Sequence, residues 1–504
     1  MEALSLLLKK SGEDNDHLRK LLDKSHEDNQ KLQDMLRAMQ AQLDKLQRMI
    51  FGQSSERQRG LQKKAEDNKA TQESSVSPVA KDDNATRNGR KKLPIELPRR
   101  VFKHDFTEAE KQSTQCCQAK LQCIGKDVSE QLEFVPSSLY VIEHRRYKYS
   151  CFCCKTLYMA PMPEQPIDKG LAGPGLLAET LIAKYQDHMP LYRQEKRYER
   201  LGYSIARSTL CDWVDACADR LKPIVAAMHT DMLVRSPKIH SDDTIIPVLR
   251  KEKTHNGRLW VYVGGGGHAP SSIIYRYSKT RTGQEPKNFL GDYCGYLQAD
   301  AYAGYDQCYE SGNIIEVGCL AHARRKFIDT LKVVENDKLA QEAILYIKSL
   351  YEIEGKIKEM DAIQRYYYRR RYAKPRLKIF YRWLKHSQHN APPKSLLGKA
   401  INYTLNHWKA LNNYLRDGVL DIDNNAAERA MRSVVLGRKN YLFAGSDNGA
   451  ENAAVIYSLI ETCKALKINT FDYLTDVLKR LPTTLNSNIT KLIPYNWKPV
   501  IIND

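Results

Sequence analysis

The segment Lys238-Ile239-His240-Ser241-Asp242-Asp243-Thr244-Ile245-Ile246-Pro247-Val248-Leu249 reads as an apolar strand interrupted by two acids. Leu259-Trp260-Val261-Tyr262-Val263 follows, then a glycine turn over residues 264–267, then a third apolar run over 272–277. Short β-rich runs separated by turn residues predict an antiparallel meander. Pro286-Lys287-Asn288-Phe289-Leu290 comes next, followed by a second acid-bearing strand, Gly295-Tyr296-Leu297-Gln298-Ala299-Asp300-Ala301-Tyr302. A last strand over 313–318 runs into a helix that starts near Ala321. Three strands, a helix, a strand and a strand-helix pair is the order of a ribonuclease-H-like fold, expected here as the catalytic core of a multidomain α/β chain.

Two acids at the ends of neighbouring strands suit a pair of Mg²⁺ or Mn²⁺ ions. Carboxylates are hard oxygen ligands, and Mg²⁺ takes one or two of them beside water and phosphate oxygens. Two ions about 4 Å apart can activate a hydroxyl and stabilise the leaving oxygen in phosphoryl transfer. Such a site needs a third acid on a later helix. The best candidate is Glu428 in Asp421-Ile422-Asp423-Asn424-Asn425-Ala426-Ala427-Glu428-Arg429-Ala430-Met431-Arg432, where Asp423 or Asn425 can cap the helix and put Glu428 on its first turns. The expected acids are therefore Asp242, Asp300 and Glu428. Any one buried-looking aspartate is more often a cap or a salt bridge; three in matching contexts change that.

Working outward, the core is expected over 236–330 and again over 419–450, with a C-terminal helical region at 451–504. The 127 residues between Asp300 and Glu428 exceed what that core needs, so 331–418 is read as a helical insertion. It contains Arg365-Tyr366-Tyr367-Tyr368-Arg369-Arg370-Arg371-Tyr372, which suits phosphates and unstacked bases, or equally a helix surface and its core. Upstream, 161–235 reads as three helices, the third opened by Ala206-Arg207-Ser208-Thr209-Leu210 after a Gly202 turn. That is a helix-turn-helix pattern with Arg207 and Ser208 near the DNA, an ordinary helical hairpin being the alternative.

Residues 99–160 hold six of the chain's twelve cysteines around an alternating stretch (Leu132, Phe134, Val141, Tyr147, Tyr149) that suggests two strands. The whole resembles a zinc ribbon. Cys151 and Cys154 have ligand spacing; Cys117 lacks its partner, since Thr114 stands three residues before it, so Cys123 or Cys116 would have to complete a Zn²⁺ site. Residues 52–98 form a polar linker ending in a basic run, Arg87-Asn88-Gly89-Arg90-Lys91-Lys92, of the kind that can lie in a minor groove. Residues 1–51 carry apolar heptad positions at Leu4, Leu18, Leu32, Met39 and Leu46 and at Leu8, Leu22, Leu36, Leu43 and Ile50, which predicts a coiled coil and self-association.

Composition bounds the function. There are 79 Lys plus Arg against 60 Asp plus Glu, a net charge of +19, and such a field attracts polyanions, nucleic acid above all. No run of about 18 apolar residues exists to span a membrane, and the Leu4 to Leu8 run is too short for a signal core, so a cytoplasmic protein is expected. Cysteines there are free or metal-bound more often than paired.

Taken together, His240-Ser241-Asp242-Asp243-Thr244, Leu297-Gln298-Ala299-Asp300-Ala301-Tyr302, Asp423-Asn424-Asn425-Ala426-Ala427-Glu428-Arg429 and Gly437-Arg438-Lys439-Asn440-Tyr441-Leu442-Phe443-Ala444-Gly445-Ser446 resemble the transposases of the IS66 insertion-sequence family. Phe51-Gly52-Gln53-Ser54-Ser55-Glu56 and His188-Met189-Pro190-Leu191-Tyr192-Arg193-Gln194 extend the resemblance to nearly the whole chain. It implies binding to the terminal inverted repeats of a mobile element, Mg²⁺-dependent cleavage of the 3′ ends, strand transfer by direct transesterification, and accessory proteins of the same element. Asp243 stands where the family usually has Glu and is expected to be a neighbour of the site. Gly318-Cys319-Leu320-Ala321-His322 matches a family segment with Cys and His three apart, for which a structural role is expected. Arg324, Arg325, Arg429, Arg432, Arg438 and Lys439 are candidate phosphate contacts. The competing expectations are a nuclease of the same fold that cuts without joining, and a non-catalytic DNA-binding protein from a decayed element.

Overall fold

A computed structural model describes residues 138–150, 157–159, 162–168, 170–250 and 253–499. The expected coiled coil, the basic linker and the thiols Cys117, Cys123, Cys151 and Cys154 lie outside the described residues. What is described of the cysteine region is an antiparallel pair, β1 (Lys148–Ser150) and β2 (Leu157–Met159), with Tyr149 opposite Tyr158. The sequence alternation places two strands within 127–149, whereas β2 follows Cys154. Tyr140, Val141 and Tyr147 are exposed, so the alternation there marks no buried face.

The centre of the molecule is a five-stranded mixed sheet. Its strands are β3 (Lys238–Leu249), β4 (Thr254–Gly266), β5 (Ala269–Ser278), β6 (Gly295–Gln298) and β7 (Ile314–Val317), in the order β5-β4-β3-β6-β7. The first three are antiparallel; β6 and β7 run parallel to β3. Leu259, Trp260, Val261 and Tyr262 on β4 are all fully buried, a continuous apolar run that a strand carries when both sheet faces are covered. Gly265, Gly266 and Gly267 all have positive φ and turn β4 into β5 through a bulge, a path that side chains with a Cβ resist. β6 stops at Gln298, so Asp300 lies two residues beyond the strand instead of within it.

Helices α1 (Pro174–Tyr185), α2 (Leu191–Arg200) and α3 (Arg207–Arg235) precede the sheet, α4 (Gln284–Leu290) joins β5 to β6, and α5 (Leu320–Val333) follows β7. α3 is 29 residues long, and Leu210, Trp213, Val214, Cys217, Leu221, Ile224, Met228 and Met232 form a buried stripe along it. It is thus a pillar of the main core; Arg207 and Ser208, on its first turn, are exposed. On the other side of the insertion come α10 (Asn425–Tyr441), α11 (Asp447–Ala465) and α12 (Thr470–Arg480). α11 closes the free edge of the sheet. Ser458 and Thr462, one turn apart, bond the backbone of Tyr275 at 2.8 Å and Ile273 at 3.0 Å, which removes an edge open to other chains.

Between α5 and α10 lies a second core built by α6 (Lys338–Lys356), α7 (Ala362–Tyr368), α8 (Lys374–Asn390) and α9 (Leu396–Asn406). Ile347, Leu350, Phe380, Leu384 and Ile401 fill it, and it continues through Phe327 of α5 to Leu420 and Ile422. Its polar centre is Arg369, in a π-helical turn (Arg369–Ala373) and fully buried. Arg369 donates to both oxygens of Glu354 (2.9 and 2.6 Å) and to the carbonyls of Tyr414 (3.2 Å) and Asp417 (3.1 Å). Arg365 donates to the carbonyl of Leu420 at 3.2 Å. These two arginines of the basic-aromatic run are therefore occupied inside the protein and not free for phosphate, while Tyr367, Arg370 and Arg371 face solvent. Gly418 is required by close approach, since a Cβ there would meet the carbonyl oxygen of Ala362 at 1.6 Å.

Candidate active site

β3 sends alternate side chains to opposite faces. His240, Asp242 and Thr244 face α10: His240 Nδ1 lies 3.0 Å from Asn424 Oδ1, and Arg438 donates to Thr244 Oγ1 at 3.3 Å. Ser241 and Asp243 face the other way, where Tyr305 donates to Ser241 Oγ at 2.9 Å. Asp243 is held between two guanidinium groups, Arg258 at 3.0 Å and Arg281 at 2.8 Å, with a side chain only 2% exposed. It is a scaffold acid. Asp242 accepts the backbone N–H of Asp243 at 2.8 Å, and among the described residues no cation pairs with it.

Asp300 follows the parallel neighbour of β3. Ala299 N–H still bonds Val317 at 3.3 Å, which fixes the backbone just before the acid. Arg281 Nη2 stands 3.9 Å from Asp300 Oδ2, with its guanidinium stacked 3.8 Å over the Tyr302 ring. Sequence reading passed over Arg281, which sits in the loop between β5 and α4 with no periodic signal around it.

The approach to α10 is pinned from several elements. Asp421 accepts from Lys238 and, at 3.1 Å, from His240; Gln298 donates to its carbonyl at 2.6 Å. Asn424 donates to the carbonyl of Ser241 at 2.8 Å and, through its backbone, to Cys319 Sγ at 3.1 Å. Asn424 is the residue before the helix, but its side chain is committed to β3 and caps nothing. Asp423 supplies the cap instead, accepting the backbone N–H of Asn425 at 3.1 Å, with Tyr351 donating to it at 2.9 Å. Glu428 falls in the first helical turn. One of its oxygens lies 3.4 Å from Arg325; the other, Oε1, lies 3.8 Å from His322 Nδ1, and both of these last atoms are buried without a hydrogen bond.

Charge separates the acids. Burial pushes Asp242 up to about 7, reinforced by the negative charges of Asp300, Asp243 and Glu428. Burial also raises Asp300, against the pull of His322 and Arg281. Burial would raise Asp421 too, but the His240 hydrogen bond and the Lys238 charge hold it well below the usual carboxylate range. His322 is lowered, mainly by burial, and the Cys319 thiol is pushed up to about 12 by the same cause. Two half-buried, raised carboxylates, one with no paired cation among the described residues and the other with only a distant guanidinium, and an unpartnered Glu428 oxygen nearby fit a hard divalent cation. The three carboxylates are in electrostatic reach of one another, but among the described residues they do not converge within 4.8 Å; Glu428 does so with Cys319 and His322.

Of the candidate phosphate contacts, Arg429 and Arg432 on α10, Lys439 at its end and Arg325 on α5 are exposed, and Arg324 is half-buried. Arg438 also donates to the carbonyl of Ile245 and so braces β3. No described helix is long and apolar enough to cross a membrane.

Residues 169–452 match the family described as Transposase IS66 family, and 458–495 match the IS66 C-terminal element. Residues 115–155 match the zinc-finger binding domain of transposase IS66, and 38–101 match Transposase C of IS166 homeodomain. Among curated proteins, the chain is 35% identical over 404 residues to Uncharacterized protein y4hP of Sinorhizobium fredii (strain NBRC 101917 / NGR234), covering 76% of this chain and 73% of that one. It is 34% identical over 420 residues to Uncharacterized protein y4jD of the same organism, covering 80% and 81%.

Proposed function

The chain belongs to the IS66 transposase family, and from that premise we propose that Asp242, Asp300 and Glu428 are its catalytic acids, cleaving and joining DNA at the ends of a mobile element. The observation that carries this reading is the state of Asp242 and Asp300. Both are half-buried and raised, Asp242 on β3 with no paired cation among the described residues and Asp300 just past the parallel strand β6 with Arg281 at 3.9 Å, and the Glu428 helix is docked on the same side. A sheet ordered β5-β4-β3-β6-β7, three strands antiparallel and two parallel, supports a ribonuclease-H-like core.

The three carboxylates would hold divalent metal, Mg²⁺ or Mn²⁺, which when bound polarises the scissile phosphate and lowers the pKa of an attacking hydroxyl. The protein's part is positioning. Ala299 and Gln298 fix the Asp300 backbone, Asn424 fixes the start of α10, and Arg281 screens Asp300 from Asp243. Arg325, Arg429, Arg432 and Lys439 give the exposed rim a positive charge suited to phosphates, with Arg324 and Arg438 beside them. Arg207 and Ser208 are proposed to contact the element's inverted repeats, the cysteine module to hold structural zinc, and the N-terminal heptads to bring two or more copies together. Accessory proteins of the same element are proposed as further partners.

The test uses duplex DNA carrying pre-cleaved element ends, with Mg²⁺, comparing the wild type with Glu428→Gln. Joined product from the wild type and none from the variant is expected. Undiminished joining by Glu428→Gln would remove Glu428 from the mechanism, and a wild type that cuts uncleaved ends but joins no pre-cleaved ones would make the protein a nuclease.

A further inference from the structure

Cys319 and His322 lie outside the three-acid reading, yet the structure treats them as a unit with Glu428. One ligand atom from each of the three falls within 4.8 Å of the others. Cys319 is the residue before α5 and His322 sits in that helix's first turn, while Glu428 comes from the first turn of α10. The two helix starts are locked together: Leu320 N–H bonds Ile422 O at 3.1 Å, and Asn424 N–H bonds Cys319 Sγ at 3.1 Å. Cys319 Sγ also takes a hydrogen bond from the backbone of His322. Backbone N–H groups converging on a sulfur at a helix start stabilise negative charge there. His322 Nδ1 and Glu428 Oε1, 3.8 Å apart, are too distant to bond each other, and both are buried with no other partner. Two unused donor atoms and a sulfur thus point into one space.

We propose that Cys319, His322 and Glu428 bind a divalent ion of the zinc class, at a site that overlaps the proposed hard-cation site of Asp242, Asp300 and Glu428 only at Glu428. A sulfur, an imidazole nitrogen and a carboxylate oxygen form a borderline-soft set that prefers Zn²⁺ or Co²⁺ over Mg²⁺. Three protein ligands leave the fourth tetrahedral position open to water. Loading releases the thiol proton to solvent. Bonds of about 2.0–2.3 Å require the three side chains to draw together, which rotation of His322 and Glu428 permits. The site stands on its own geometry and does not depend on the transposase reading; it shares Glu428 with the proposed triad, so an ion here occupies that carboxylate.

The experiment is a Co²⁺ titration of the full-length protein, following the thiolate-to-cobalt charge-transfer band and bound equivalents. The upstream cysteine module contributes a background, so wild type, Cys319→Ser, His322→Gln and Cys151→Ser are compared. Cys319→Ser and His322→Gln should each bind one equivalent fewer than wild type, while Cys151→Ser keeps the band that depends on Cys319. If Cys319→Ser fails to fold, His322→Gln, at a position less buried than Cys319, decides alone. Equal equivalents and equal spectra in the wild type and the folded variants overturn the proposal. No arm measures DNA joining, so loss of the triad reading would leave this result standing, and the reverse.

Discussion

The two faces of β3 handle negative charge in opposite ways. On one, Asp243 is buried between Arg258 and Arg281 and its charge is balanced within the fold. On the other, one residue away, Asp242 is half-buried, has no paired cation among the described residues, and is pushed up to about 7. The same residue type, on the same strand, is ion-paired on one face and accepts only a backbone N–H on the other, which is what the proposed ligand role of Asp242 requires. What distinguishes them is whether the described residues supply a paired cation.

The largest effect should come from exchanging the roles. Asp242→Asn should reduce metal-dependent DNA cleavage roughly 10³-fold or more while leaving the fold intact; a variant within tenfold of wild type in a gel-based cleavage assay would break the contrast. Asp243→Ala should do its damage in stability. It leaves the half-buried Arg258 and the solvent-accessible Arg281 without their shared carboxylate, and the cost should be about 2 kcal/mol in urea unfolding once solvent screening is allowed for. A loss below about 0.5 kcal/mol would mean that the pairs are ornamental.

The pH dependence of Asp242 comes next. Its folded-state pKa lies above the usual 3.8, so the fold favours the protonated form and the carboxylate is a burden that grows as pH rises through 7. In chelator, Asp242→Asn should therefore be more stable than wild type at pH 8 by about 2 kcal/mol, allowing for solvent relief at a partly exposed carboxyl. That advantage should fade as pH falls towards 4. Parallel stability curves for the two proteins across this range would show that Asp242 is not strained. The smallest effect is expected from Arg281→Gln, which removes one of two cations from Asp243; a loss of about 1 kcal/mol in the same urea assay is anticipated, and no change would assign the balance to Arg258 alone.

Much of this was legible in the sequence, and the limits have physical causes. β3 could be read because its branched and apolar residues sit in a continuous run, and β4 because residues 259–262 are apolar on both faces. The end of β6 could not, since the alternation of Leu297, Ala299 and Ala301 with polar residues continues beyond the last strand residue and only the partner strand, β7, decides where pairing stops. Glu428 could be picked from its motif, but its neighbours could not: His322 arrives from α5, and Lys238 and His240 of β3 and Arg365 of α7 converge on Asp421 from two separate elements. Such meetings across more than 50 residues leave no local pattern. The run 365–372 left two readings open. Its composition suited a nucleic-acid surface or a helix surface and its core, and Arg365 and Arg369 take the second place, drawn inward by Glu354 and by carbonyl oxygens that no sequence window contains.

The Arg369 cluster has one more consequence, which concerns timing. Glu428 is made 186 residues after Asp242, and the segment leading to it is anchored through Arg365 and Arg369 to helices of the insertion. While the chain is being synthesised, the strand bearing Asp242 therefore exists long before the third acid does. The place of the proposed third acid is set by contacts with that insertion. A partly made or truncated chain carries two of the proposed acids and cannot complete the set, so under the proposed reading the capacity to cut DNA is acquired last.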